Sequence, residues 1–358
     1  MGVGTLGILL LVACQPEIQT LGEVDRQLAT TMRLGLPPPA PPGNRFADNP
    51  EAAELGRAFF SDPGFSATGT FSCASCHQPE RRFTDGERVH TMLGVGKRNV
   101  PTIESTAWQT WFFWDGRADS AWSQAVGPIL DPDEMGNTPA GVRRHVERNW
   151  REPFETTFGP MGTMDESDVL AAVGKAIEAH ERTLAHRESA FDRFVDAGFS
   201  GDALSVAEQR GMALFFEKGC TNCHNGPMFT DHAFHNVGVP PVDATDLDVG
   251  RGDGAAKALA DPFNCRSKFS DSDTCDELRF LDPTFEDAPG SFKTPSLRSV
   301  AFTAPYFHNG SVHTLEQVIE VYDRLPGTPL LGHRDLVLQP LALSTADRDA
   351  LAAFLRVL

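Results

Sequence analysis

Two pentapeptides of the form Cys-x-x-Cys-His carry the chemistry of this chain, one at Cys73–His77 and one at Cys220–His224. This spacing is the attachment signal for c-type haem, because the two thiols can form thioethers with the two vinyl groups of one porphyrin. The adjacent histidine then reaches the iron as its proximal ligand. We therefore expect two covalently bound haem c groups, held by Cys73, Cys76, His77, Cys220, Cys223 and His224.

Two other uses of paired cysteines fit this pattern poorly. The two pairs of a structural zinc site usually lie about 15–20 residues apart and need no following histidine. A thioredoxin-like pair would sit between a strand and a helix in a βαβ unit, which this sequence does not predict. Redox chemistry at haem is the better interpretation.

The beginning of the chain is typical of an exported bacterial lipoprotein. Residues 3–13 are apolar and uncharged, and they end in Leu11–Cys14, which resembles a lipobox. The run is too short to span a bilayer, so residues 1–13 are predicted to be a signal peptide. We expect a periplasmic protein that is lipidated at Cys14 and held at the membrane by that anchor only, although the start lacks the usual basic residues.

Two cysteines remain outside these motifs, Cys265 and Cys275, in a loop-like segment rich in Asp, Ser and Asn. In an oxidising compartment an even remainder predicts a disulfide, which would contribute about 2–3 kcal/mol for so short a loop. Two free thiols are the alternative.

The chain is strongly acidic, with 49 acidic and 31 basic residues and a net charge of −18. Such a surface repels nucleic acid and anionic lipid and favours a basic partner. Because the charge is spread along the chain, simple solubility is an equally simple explanation of it.

The pattern of the chain predicts a mainly α fold with two cytochrome c-like haem domains. Residues 14–45 are polar and Pro-rich and are predicted to be a tether, followed by domains at 46–187 and 188–358. A short amphipathic helix precedes each haem motif, at Ala53–Phe60 and at Ala207–Phe216. Further helices are predicted at Asp165–His186, where His180 faces the core, and at Thr314–Leu325 and Ser344–Leu358.

Tryptophans recur every three residues at Trp108, Trp111 and Trp114. For Trp108 and Trp111 we favour a place in the core. A tryptophan between two haems would instead act as an electron relay, because its ring can be oxidised.

Several segments in order resemble the bacterial di-haem cytochrome c peroxidases and MauG. The matches run from about Ala53 to Leu358 and include Lys97–Thr102, Phe113–Arg117, Gln124, Pro128, Glu134–Met135, Thr294–Arg298 and Thr303–Gly310. The resemblance implies that the first haem is the site where hydrogen peroxide reacts. It also implies that Glu134 is the distal carboxylate assisting O–O cleavage, that Gln124 orients peroxide and that Trp114 lies between the haems.

The same resemblance implies a calcium site and an unusual second haem. Asn99, Thr303 and Pro305 match the calcium ligands, whose oxygen atoms suit a hard cation. The ordinary peroxidases ligate the second iron with a methionine, but Tyr322 stands at that position and no methionine follows Met228. MauG and its relatives share a tyrosine ligand, which stabilises high iron oxidation states, and they use the stored oxidising power on Trp or Tyr residues of a partner protein. A core tyrosine bonded elsewhere is the alternative.

His90 falls one residue from the position of a displaceable histidine ligand of the first haem in ordinary peroxidases. Two interpretations of His90 therefore stand: it ligates the first iron, or it is an ordinary surface histidine.

The leading hypothesis is a periplasmic haem peroxidase with two haems, of the MauG-like branch. It would use hydrogen peroxide and have a protein substrate or redox partner. Two alternatives remain: a conventional peroxidase that takes electrons from a small cytochrome or cupredoxin, and a di-haem electron carrier without catalysis.

Overall fold

The fold is mainly α-helical, as the sequence predicts. The computed structural model describes residues 21–104, 106–184, 186–245, 247–325 and 327–358. The helices within this part of the chain are α1 (Glu23–Thr31), α2 (Pro50–Ser61), α3 (Cys73–Cys76), α4 (Ala121–Leu130), α5 (Pro139–Asn149), α6 (Arg151–Phe158), α7 (Glu166–Glu181), α8 (Ala190–Asp196), α9 (Val206–Glu217), α10 (Arg251–Ala260), α11 (Leu315–Arg324) and α12 (Thr345–Leu355). The strands of the described residues are β1 (Phe234–His235) and β2 (Phe292–Lys293), paired antiparallel.

The first hydrophobic core forms where α2 crosses α7. Asn49 caps α2 by accepting from the amide of Ala52, and Pro50 at the first helical position favours this start. The two helices approach so closely that a Cβ atom on Gly56 would lie 1.8 Å from the carbonyl oxygen of Ala176. Phe59 is buried on the same face of α2. This crossing fixes the end of α2 from which the chain enters the first haem motif.

The second core repeats this arrangement with α9 and α12. A capping box between Ser205 and Glu208 begins α9. A Cβ atom on Gly211 would lie 1.9 Å from the carbonyl oxygen of Ala350 in α12. Each haem motif therefore follows a helix that is held at a glycine against the main helix of its own core.

The predicted tether is wrong over residues 21–34. The segment contains α1, and Ala29 and Met32 are fully buried in the second core. Leu21, Leu28, Ala29 and Met32 recur at helical spacing, so they form an apolar stripe that the polar composition of the segment conceals. The proline-rich stretch that follows lies against the first half, where Arg182 donates to the carbonyl of Pro38 at 3.0 Å. The predicted signal peptide and Cys14 lie outside the described residues.

Arg98 joins the two halves. Its guanidinium pairs with Asp115 at 2.6 Å and with Asp248 at 2.7 Å, and the Asp115 side chain is 1% exposed. A buried carboxylate needs such a partner because an unpaired charge is costly away from water. Among the described residues, no helix combines the length and the apolar character that crossing a bilayer requires.

Candidate haem sites

The second Cys-x-x-Cys-His motif opens onto a large cavity. After α9 the chain forms a short 3-10 turn at Cys220–Asn222. The Nδ1 atom of His224 lies 3.0 Å from the carbonyl oxygen of Phe229, which leaves Nε2 as the ligand atom. Cys220, Cys223 and His224 line a cavity of about 980 Å³, a volume suited to a large cofactor. These residues fit a covalent haem.

Tyr322 of α11 lines the same cavity. Burial raises the pKa of its phenol, and the nearby Cys220 and Cys223 act in the same direction. The hydroxyl of Tyr306 donates to the carbonyl of Val300 at 3.0 Å, whereas no described residue bonds the hydroxyl of Tyr322. The side chain predicted to ligate the second iron therefore lines the cavity, and its hydroxyl has no hydrogen-bond partner among the described residues.

Trp114 and the three predicted calcium ligands also line this cavity. The indole N–H of Trp114 donates to the carbonyl of Asn99 at 2.9 Å, and its own carbonyl accepts from the amide of Lys293 at 2.8 Å. Asn99 uses its amide nitrogen to donate to the carbonyl of Glu87, so its side-chain oxygen is left as an acceptor. Asn99, Thr303 and Pro305 thus offer neutral oxygens of the kind that calcium accepts.

The first Cys-x-x-Cys-His motif is built in a parallel way. Ser72 and Ser75 form a capping box around the short helix α3, so both cysteines lie on one turn. The Nδ1 atom of His77 lies 2.9 Å from the carbonyl oxygen of Phe83. Burial lowers the pKa of His77, and it lowers that of His224 as well. Both imidazoles therefore favour the neutral form that ligates a metal.

Burial is the main cause of the raised pKa of Cys73 and Cys76, and the charge of the nearby Glu134 raises it further. Burial also raises the pKa of Glu134 itself, against a smaller opposite influence of the nearby His90. A carboxyl group in this state can hold a proton nearer to neutral pH than an exposed one. Gln124 lies on α4, half-buried, on the helix that leads into the turn carrying Glu134.

His90 is half-buried. Its Nε2 atom is buried and has no hydrogen-bond partner among the described residues. The ring packs on Gly96, where a Cβ atom would lie 2.2 Å from it. His90 also lies near enough to His77 to contribute to the lowering of its pKa. An unpaired buried imidazole nitrogen in this place suits an iron ligand of the first haem.

Sequence reasoning missed several polar residues that the fold buries at these sites. Glu181 of α7 lies near Cys73, and burial with a contribution from Glu178 raises its pKa to about 8. Lys293 lines the second cavity, donates to the Gln109 side chain at 2.6 Å, and has its pKa lowered to about 8 by burial. No signal in the sequence marks these charged residues as buried, because their burial depends on segments that lie far away in the sequence and cover them only in the fold.

Two further predictions meet their structural outcome here. Cys265 and Cys275 form a disulfide, with Cα atoms 5.3 Å apart. Trp111 does not take the core position that we favoured, because it is half-buried and lines a surface cleft beside Arg251. Trp108 is also half-buried and lies outside the cores of the described residues.

Comparisons with known proteins agree with this geometry. A family profile described as "Di-haem cytochrome c peroxidase" matches residues 50–198, and one described as "RoxA-like, cytochrome c-like" matches residues 291–326. The methylamine utilization protein MauG of Methylorubrum extorquens is 34% identical over 86% of this chain and 78% of its own length. The cytochrome c551 peroxidase of Nitrosomonas europaea is 32% identical over 78% of this chain and 74% of its own length.

Solved structures give the same relationship. The di-haem peroxidase BthA of Burkholderia thailandensis superposes with a TM-score of 0.71 at 26% identity, covering 87% of this chain and 86% of that chain. One chain thus contains two cores, each with a cytochrome c-like haem motif and its histidine, His77 or His224. The matched segments follow in the same order. The protein is therefore a haem enzyme, a member of the bacterial di-haem cytochrome c peroxidase and MauG family.

Proposed function

We propose that this protein is a periplasmic peroxidase of the Tyr-ligated, MauG-like branch, which uses hydrogen peroxide to oxidise residues of a partner protein. The observation that supports the proposal is that Tyr322 lines the same cavity as Cys220, Cys223 and His224. An anionic phenolate oxygen is a hard donor that lowers the reduction potential of its haem, whereas methionine raises it. A low potential suits storage of oxidising power and hinders the acceptance of electrons from a cytochrome.

At the first site the reaction depends on moving one proton. Bound haem supplies the iron that exchanges electrons with peroxide. A carboxylate oxygen of Glu134 would take a proton from one oxygen of hydrogen peroxide and give it to the other, which would leave as water when the O–O bond breaks, and the bound haem would supply the two electrons for this cleavage. The Gln124 amide orients the peroxide for this transfer. The raised pKa of Glu134, caused first by burial, supports the role, because it makes the carboxylate a better proton acceptor than an exposed one.

Trp114 is proposed to connect the two sites. Its ring lines the second cavity, and its indole N–H is held by the carbonyl of Asn99. A fixed, oxidisable ring between two redox centres shortens each electron-transfer step. Asn99, Thr303 and Pro305 are proposed to bind a calcium ion that holds this segment in place. The periplasmic location and the lipid anchor at Cys14 rest on the sequence.

A conventional peroxidase, reduced by a small cytochrome or cupredoxin, is the second candidate. The similarity to the cytochrome c551 peroxidase of Nitrosomonas europaea favours it. Rapid steady-state turnover with a reduced cytochrome would support it over the MauG-like function.

The peroxidatic role of Glu134 is tested by Glu134→Gln, which keeps the shape of the side chain and removes the base. We expect the reaction with hydrogen peroxide, followed by stopped-flow absorbance of the haem, to slow about 10²- to 10⁴-fold. Glu152→Gln is the matched control, since it makes the same substitution at an exposed carboxylate of the first half. An unchanged rate in Glu134→Gln would show that this assignment is wrong.

A further inference from the structure

An apolar surface next to the second haem cavity has no role in the activity described so far. We name it the Phe280 face and define it by three exposed side chains, Phe280, Phe285 and Leu336, which are 83%, 57% and 91% exposed. All three line one cleft of about 690 Å³. Single exposed apolar side chains are common on soluble proteins, whereas large apolar side chains grouped in this way are typical of interaction sites.

Contacts of Arg251 hold the aromatic side chains that line this cleft in place. The guanidinium carbon of Arg251 lies 4.2 Å from the ring centre of Trp111 and 4.0 Å from that of Phe234. The same group donates to the carbonyls of Asp115 and Gly116, at 3.2 and 2.7 Å. The exposed side chains thus stand on a fixed aromatic base, which lowers the entropy cost of binding a partner.

The rim of the Phe280 face is acidic. The segment of residues 276–287, which carries Phe280 and Phe285, has five exposed carboxylates and one arginine, Arg279, whose guanidinium carbon lies 5.3 Å from the ring centre of Phe280. The carboxylates are Asp276, Glu277, Asp282, Glu286 and Asp287. Asp282, Asp287 and Asp335 line the cleft beside Arg251 and Arg334, and the exposed segment adds further negative charge. An apolar centre with mainly acidic surroundings is the arrangement of a protein interface that selects a partner of opposite charge.

The face also adjoins the second haem cavity. His235, Asn236 and Asp335 line both the surface cleft and the cavity, so one layer of residues separates them. Within this layer His235 is held between Asp335 and Asp231, at 2.6 and 2.8 Å. A molecule bound at the face would therefore lie close to the second haem.

We infer that the Phe280 face is the docking site for the protein partner, and that the partner presents an apolar centre surrounded by lysine and arginine side chains. This inference rests on the proposed function, which requires a protein partner. The acidic rim attracts such a partner from solution, and the exposed rings and Leu336 supply the contact that holds it.

The experiment measures association of the haem-loaded protein with a small basic cytochrome c as the probe, by surface plasmon resonance at low and high ionic strength. Leu336→Ser and Phe280→Ser remove apolar contact, and the double variant Glu277→Gln/Glu286→Gln neutralises part of the rim. The matched controls are Leu36→Ser, at a leucine 93% exposed on another surface, and Glu51→Gln/Glu152→Gln, at two exposed carboxylates of the first half. An acidic cytochrome c is the control probe.

We expect each face variant to raise the dissociation constant roughly tenfold, and added salt to weaken binding by the unaltered protein. The controls should bind like the unaltered protein. The inference is overturned if the face variants bind as tightly as their controls, if the basic probe does not associate at low ionic strength, or if the acidic probe binds equally well. Peroxide consumption with a small dye as reductant tests the proposed function separately, because the dye needs no docking site.

Discussion

The two proximal histidines show how single residues determine the chemistry of this protein. In His77 and His224 one ring nitrogen faces a backbone carbonyl a few residues further along the chain, Phe83 or Phe229. This contact is local in sequence, so the motif that predicts the ligand also predicts its orientation. Tyr322 could be found only by counting from a matched segment, and the burial of Glu181 could not be found at all, since it depends on packing between helices.

Arg298 is the residue whose loss should harm the second half most. Its side chain, 1% exposed, pairs with the equally buried Asp192 at 2.6 and 2.9 Å. It also donates to the carbonyl of Pro227 at 2.6 Å and to that of Met32 at 3.0 Å, so it joins α1 to the loop after the second haem motif. We expect Arg298→Met to lower the free energy of unfolding by about 3–5 kcal/mol, because it leaves a buried carboxylate unpaired.

The same pair predicts a loss of stability in acid. Burial tends to raise the pKa of Asp192, but the hydrogen bond and charge of Arg298 outweigh it and hold the pKa below its ordinary value. The stabilisation is therefore present above the ordinary carboxyl pKa and is lost as the pH falls through the lowered one. Urea unfolding as a function of pH measures both effects. Arg324→Met, at a 71% exposed arginine paired with Glu320, is the control and should change stability by less than about 1 kcal/mol. An equal change in both variants would contradict this account.

At the scale of elements, a glycine sets the distance between the two main helices in each core. A Cβ atom at Gly56 would meet the backbone of α7, and one at Gly211 would meet the backbone of α12. Because the obstacle is backbone, it cannot move aside as the end of a side chain does. The weak repeat in the sequence therefore reflects a repeated helix crossing as well as a repeated haem motif.

Gly56→Ala should destabilise the first core despite the higher helix propensity of alanine. We expect the melting temperature, measured by circular dichroism, to fall by several degrees, in line with the roughly 1–3 kcal/mol cost of overpacking. Gly162→Ala is the matched control, because no atom lies within 4 Å of the Cβ position at Gly162. A melting temperature that stays the same or rises in Gly56→Ala would contradict the close crossing.

Five of the twelve helices in the described part of the chain were predicted, because each of them combines a capping residue with an apolar stripe. The segment at Thr314–Leu325 begins with a capping box and forms α11, and Ala207–Phe216 lies within α9. α1 was instead assigned to the tether, because its stripe is short and stands beside a proline-rich stretch. Its burial depends on a surface formed by residues far along the chain, so local composition gave the wrong prediction.

At the scale of the whole molecule, the two halves share a design but their haem sites differ. The first motif has Glu134 and His90 nearby, whereas the second opens onto a cavity lined by Tyr322. Arg98 and Trp114 lie between the halves, and the acidic surface is suited to a basic partner. The sequence predicted this asymmetry through the family resemblance, while the cavity, the Phe280 face and the packing of α1 needed three-dimensional contacts.

The central claim is that Tyr322 ligates the second haem iron. The most direct measurement is the ferric absorption and EPR spectrum of the haem-loaded protein beside those of Tyr322→Phe and Tyr306→Phe, which alter the only two tyrosines of the chain. We expect Tyr322→Phe to change the signals of one haem and to raise its reduction potential, and Tyr306→Phe to leave both haems as they are. Identical spectra for Tyr322→Phe and the unaltered protein would contradict the account.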